Sequence, residues 1–154
     1  MAKILILYHS QTGNTEKMAR AVAEGARSIE GTDVVLKKAA VATAEDLFNA
    51  DGIAIGTPEN FGYMSGMMKD FFDRTYEPAQ RQVERVFRKP YVVFISAGND
   101  GSGALTSIER IALGYKFKKV FDPVISLNKP TQDILDQCRE LGQVLTAGCA
   151  VGIY

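Results

Sequence analysis

Three stretches of this chain are apolar without alternation: Ile4-Leu5-Ile6-Leu7-Tyr8, Gly52-Ile53-Ala54-Ile55-Gly56 and Tyr91-Val92-Val93-Phe94-Ile95-Ser96. A strand with one wet face alternates apolar and polar residues. These do not, so they suit strands buried on both faces. Such strands need helices above and below them, and they run parallel.

The intervening segments have helical spacing. Met18, Val22, Ala26 and Ile29 share one face of a helix over Glu16–Ile29. Leu105, Ile108, Ile111 and Ala112 mark another. Ile134, Leu135, Cys138, Leu141, Val144 and Leu145 stripe a last helix capped by Thr131. Asp33–Lys37 reads as a second strand, Ala44–Asn49 as a short helix after Thr43, and Lys119–Leu127 contains a fifth strand. Five β-α units with right-handed crossovers follow, giving an α/β chain with one domain over residues 1–154.

Met64, Met67, Met68, Phe71, Phe72 and Thr75 fall on one helical face. That stripe is expected to pack on the sheet rather than to form a ligand groove. Pro78 is expected to end or kink the helix. Residues 74–89 then read as a long irregular connection with five basic and two acidic side chains. A solvated face explains it; contact with an acidic partner or a second subunit is the alternative.

Lys and Arg balance Asp and Glu at 18 each, so the net charge is zero. A nucleic-acid binder would be basic, and a carrier docking on basic partners strongly acidic. Cys138 and Cys149 lie about three turns apart on one helix, roughly 16 Å, too far to bridge. With no CxxC or Cys/His cluster, a metal site is not expected. The start, Met-Ala-Lys and then a strand, has no leader pattern, and no apolar run reaches membrane-span length. A cytoplasmic protein with reduced thiols is expected.

In an open parallel sheet, ligands bind beyond the carboxyl ends of the strands, where strand order reverses. Three loops there are unusual. The first holds Ser10, Gln11, Thr12, Gly13, Asn14 and Thr15 at the start of a helix. Hydroxyls, side-chain amides and helical N–H groups together form a phosphate cradle; a simple N-cap turn would need only one Ser or Thr. The Gly-Lys-Thr/Ser of a nucleotide triphosphate loop and the GxGxxG of a dinucleotide fold are absent. The other loops are Thr57-Pro58-Glu59-Asn60-Phe61-Gly62-Tyr63 and the glycine-rich 96–103. The lone His9 reads as a hydrogen-bonded structural residue, and no catalytic acid, base or nucleophile stands out.

Hydroxyl-x-Thr-Gly-x-Thr after the first strand resembles the phosphate loop of the flavodoxin family, and the five β-α units resemble it over the whole chain. The resemblance implies a flavodoxin-like three-layer α/β/α sandwich, a five-stranded parallel sheet of order 2-1-3-4-5, and FMN at the switch point. It places Ser10, Gln11, Thr12, Gly13, Asn14 and Thr15 at the FMN phosphate. It places Thr57, Pro58, Glu59, Asn60, Phe61, Gly62 and Tyr63 near the ring, with Phe61 or Tyr63 as ring contacts. Gly62 would let a peptide reorient toward flavin N5. Ser96, Ala97, Gly98, Asn99, Asp100 and Gly103 would meet the pyrimidine edge. Asp100 either lowers the flavin potential or only stabilises its turn.

"TPENFGYMSG" is similar to the ring loop of flavodoxin-like NAD(P)H:quinone and FMN reductases. Zero charge, the absence of Trp and a third loop without an aromatic lean the same way. The leading expectation is therefore an NAD(P)H-dependent reductase of quinones or similar acceptors. The alternatives are a flavodoxin-type electron shuttle serving a redox partner protein, and an FMN-binding regulatory protein. A homo-oligomer is compatible with each; nucleic acid and membrane are not expected partners.

Overall fold

The computed structural model describes residues 1–154. Its elements run β1 (Lys3–Tyr8), α1 (Asn14–Arg27), β2 (Asp33–Lys38), α2 (Ala44–Asn49), β3 (Gly52–Asn60), β4 (Tyr63–Met64), α3 (Gly66–Arg81), β5 (Pro90–Ala97), α4 (Ser102–Tyr115), β6 (Lys118–Lys119), β7 (Val124–Leu127) and α5 (Gln132–Val151). The sheet order is β2-β1-β3-β5, with β6 and β7 both pairing with the outer edge of β5. All pairs are parallel except β3 with β4. Counting β6 and β7 as one interrupted edge strand, this is the expected five-position order.

Side chains alternate across the central strands, as the pleat requires. Ile4, Ile6, Ala54, Val92 and Phe94 face α1 and α5. Leu5, Leu7, Ile53, Ile55, Val93 and Ile95 face α2, α3 and α4. Both faces are covered, which is why the strands lack sequence alternation. Gly56 sits where an added Cβ would lie 2.0 Å from the Phe94 ring.

Several expectations needed correction. The fifth strand is split, because Phe121-Asp122-Pro123 interrupts it. Residues 57–60 continue β3 and turn back into β4 as a hairpin. Pro58 is tolerated there because β1 has already ended: its last register partner is Gly56, and beyond it only the His9 N–H reaches the Gly56 carbonyl. Residues 74–81 are helical. Pro78 lies one turn from the end of α3, so only the Arg74 carbonyl loses its helical donor. A 3₁₀ turn follows at Val83–Arg85. Met64, Met68, Phe71, Phe72 and Thr75 pack in the core as expected, but Met67 is exposed. Thr43 and Thr131 cap α2 and α5, and Thr43 forms a capping box with Asp46.

Lys89 is 7% exposed, unusual for a lysine. Its Nζ donates to the carbonyls of Leu47 at 2.6 Å, Phe48 at 3.5 Å and Ala50 at 2.5 Å, closing the carboxyl end of α2. Burial pulls its pKa down from 10.5 to about 8. Lys89→Met would strand these acceptors and is expected to cost about 2–3 kcal/mol at pH 7. The lowered pKa has a definite sign. Between about 8 and 10.5 the unfolded chain holds the extra proton, so wild-type stability gains from rising pH. Denaturant melts across that window should show the gap to Lys89→Met widening, by up to about 1.4 kcal/mol per pH unit.

Candidate functional site

The first loop runs from the end of β1 into α1. Gly13, at φ 99, is the N-cap of α1 and offers no side-chain cap of its own. Ser10 does that work from the loop: its Oγ accepts from the N–H of Gly13 at 3.2 Å and of Glu16 at 3.1 Å. The amides of Asn14 and Thr15 have no partner within the protein. Unpaired N–H groups at the positive end of a helix of 14 residues are what an anion binds. The Ser10 hydroxyl still has its hydrogen to donate.

Thr15 is 1% exposed, and its Oγ1 lies 2.8 Å from Ser96 Oγ. That bond ties the first loop to the end of β5. At the end of β3, Thr57 Oγ1 donates to the Pro58 carbonyl and accepts from the Ser65 N–H at 2.9 Å. Thr57 is fully buried and braces the hairpin.

A cavity of about 240 Å³ opens among these loops. It is lined by Gln11, Thr12, Asn14, Pro58, Glu59, Asn60, Ser96, Ala97, Gly98 and Asn128. All but Asn128 belong to the expected site, so three segments distant in sequence converge there. Asn128 came from the loop after β7, which sequence reasoning passed over. It holds φ 64, its N–H donates to the Ala97 carbonyl at 2.7 Å, and Ser126 Oγ donates to its carbonyl. The available signal was an Asn two residues before Pro130, a left-handed turn residue after a strand.

Other expected site residues lie elsewhere. Ser10, Gly13 and Thr15 sit behind the lining and shape it. Phe61 stands at the hairpin tip at φ 53 and is fully exposed. Gly62, Tyr63 and Gly103 line a separate cavity of about 410 Å³ on the α4 side of the hairpin. Asn99 and Asp100 are exposed. The Asp100 carboxylate accepts from the Ser102 N–H at 2.9 Å and its hydroxyl at 2.8 Å, bonds that hold its pKa below the usual range. Asp100 therefore fills the turn-stabilising role.

Glu59 reaches from the hairpin to α4, where its Oε2 accepts from the Ala104 N–H at 3.1 Å. The Ser107 hydroxyl accepts from the Met64 N–H at 3.1 Å. Gly103 and Gly62 are in backbone contact. The hairpin is thus fastened to α4 along its length. His9 is half-buried; burial and then Lys38 lower its pKa. Cys138 and Cys149 are free thiols, pushed up to about 12 and about 11 chiefly by burial. No helix is long and apolar enough to cross a membrane.

The residues present fit FMN. Unpaired amides and hydroxyls suit its phosphate without a basic side chain, and the backbone edges of the second and third loops suit a planar heterocycle.

Comparison with known proteins agrees with this geometry. The family model described as "Flavodoxin" matches residues 6–142. A flavodoxin of Aquifex aeolicus is 36% identical over 98% of this chain and 89% of its own length. The structure of a flavodoxin from the domain Archaea superposes with a TM-score of 0.82 at 28% identity, covering 96% of this chain and 99% of that one. A WrbA-like flavodoxin from Agrobacterium tumefaciens gives 0.83 at 21% identity, over 98% and 99%, which shows the shared fold. The match to the family model and the Aquifex relative back electron transfer of the flavodoxin type better than the reductase reading. With its strand order, the family match over residues 6–142 and 36% identity to a flavodoxin, the chain belongs to the flavodoxin family, whose members bind FMN.

Proposed function

We propose that this chain is a single FMN-binding domain that carries electrons between partner proteins. The observation that carries this reading is the pair of unpaired amides, Asn14 and Thr15, at the helix start beside a cavity shared by three loops, in a chain 36% identical to a flavodoxin. The phosphate would be held by those amides and by the Ser10 and Thr12 hydroxyls. The ring would lie between residues 58–60 and 97–99, with Asn128 closing one side. FMN, when bound, supplies the redox chemistry; the protein sets its affinity, access and potential. Free thiols fit a reducing compartment, so the proposed location is the cytoplasm.

Thr15→Val removes the bond to Ser96 while nearly keeping the shape. It leaves Ser96 without its partner at the meeting point of two loops. FMN affinity is expected to fall about tenfold, about 1.4 kcal/mol, by fluorescence titration. An unchanged affinity would remove Thr15 from the site.

One observation favours a second reading, an NAD(P)H-dependent reductase: no aromatic side chain lines the cavity. A ring without an aromatic cover leaves a face open to a nicotinamide or quinone. The two readings separate on incubating FMN-loaded protein with NADH or NADPH and a quinone. The carrier leaves the nicotinamide unoxidised; the reductase consumes it catalytically.

A further inference from the structure

The groove between α3 and α4 is separate from the cavity lined by Pro58, Glu59 and Asn60. Its upper cavity, about 410 Å³, is bounded by the hairpin at Gly62 and Tyr63. At Ile111 it meets a second, of about 320 Å³. Tyr76, Gly114 and Tyr115 continue it to a smaller third beside Lys116. The floor is aromatic: the Tyr115 ring lies edge-on to Phe72 at 5.6 Å and to Tyr76 at 5.4 Å.

Charge on the rim is one-sided. Asp73, the only acid lining the groove, is bridged to Lys69 at 2.7 Å. Arg110 and Lys116 form no ion pair. Arg110, on α4, lines the upper cavity, and Lys116, the residue that caps the carboxyl end of α4 at φ 62, lines the lowest.

Gly114 adds a second, independent sign. It lies in α4 with ordinary helical φ, and an added Cβ would meet nothing within 4 Å. Neither packing nor backbone requires glycine, and alanine would favour the helix. Glycine does keep the groove open at its midpoint. At the upper mouth, Phe61 is wholly exposed, and Tyr63 and Met67 are partly so.

We propose that this groove receives an acidic amphipathic helix of a redox partner protein. Its apolar side chains would lie over Ile111 and Tyr115, and its carboxylates would meet Arg110 at the upper cavity and Lys116 at the lower one. The proposal deepens the carrier reading and rests on it for the partner's redox character. A helix seated there touches the Gly62–Tyr63 side of the hairpin, whose other strand lines the flavin cavity.

The test is a displayed library of random 14-residue peptides panned against the full chain. Wild-type protein should enrich sequences with acidic residues on one side and apolar residues on the other. A synthetic peptide of the enriched sequence should bind at least about tenfold more weakly to Gly114→Leu, which fills the groove, and to Arg110→Glu/Lys116→Glu, which reverses the rim. Added salt should weaken wild-type binding. Both variants should melt no lower than wild type and keep its FMN titration. No enrichment, enrichment of neutral or basic sequences, or equal binding by the variants would overturn the proposal. A wild-type dimer that Gly114→Leu converts to monomer would assign the groove to a second copy and overturn it too. Failure of wild-type protein to bind FMN would instead sink the carrier reading, leaving the peptide result to stand for the groove.

Discussion

Gly103→Ala is expected to unseat the hairpin from α4. The new methyl group would lie 2.0 Å from the Gly62 carbonyl oxygen and 2.6 Å from its carbon. Both are backbone atoms, so no rotamer relieves the clash. The hairpin or the first turn of α4 must move, and two bonds depend on their spacing: Ala104 N–H to Glu59 and Met64 N–H to Ser107. Overpacking of this kind costs about 1–3 kcal/mol. Glu59 and Asn60 line the proposed flavin cavity from the same hairpin, so FMN affinity should fall with stability, by roughly tenfold or more. Urea melts and an FMN titration of one preparation check both. Loss of stability without loss of affinity would separate the hairpin from the flavin site.

Gly142→Ala should destabilise without acting through the site. An added Cβ would lie 2.1 Å from the Val22 carbonyl oxygen and 2.9 Å from the Ala26 nitrogen. From the other side, a Cβ at Gly25 would lie 1.9 Å from the Arg139 carbonyl. So α1 and α5 touch backbone to backbone, each through a glycine. Alanine would help α5 by about 1 kcal/mol in propensity, and separating the helices outweighs that. A net loss of about 2 kcal/mol is expected, lowering Tm by roughly 4–8 °C. Gly114→Ala is the internal control. It meets open space and should leave stability unchanged or raise it by up to about 1 kcal/mol.

The sheet was legible because its three central strands are buried on both faces, and that leaves a mark in sequence. The caps at Thr43 and Thr131 were legible because a capping hydroxyl is a local event. The hairpin was not. Its β4 strand is two residues long, and its turn sets Phe61 at φ 53 where a glycine or asparagine would have signalled it. The helical course of 74–81 was hidden by Pro78, which near a helix end costs one hydrogen bond rather than a break. The polar turn at 10–15 stands out by its own composition. Asn128 enters the cavity only through tertiary pairing of β7 with β5, which no local pattern encodes. The bond from Glu59 to the α4 N-terminus joins segments 45 residues apart and leaves no local mark in sequence. Zero net charge, the absence of Trp, a third loop without an aromatic and the resemblance of the ring loop put the electron-carrier reading second; 36% identity to a flavodoxin across 98% of the chain favours it over the reductase.

The central claim is that the chain holds FMN and moves electrons one at a time. An equilibrium redox titration of the FMN-reconstituted protein, followed by absorbance, tests it most directly. One FMN per chain, retained through gel filtration, and two resolved one-electron potentials are expected. Protein that retains no FMN, or a single two-electron wave, would contradict it.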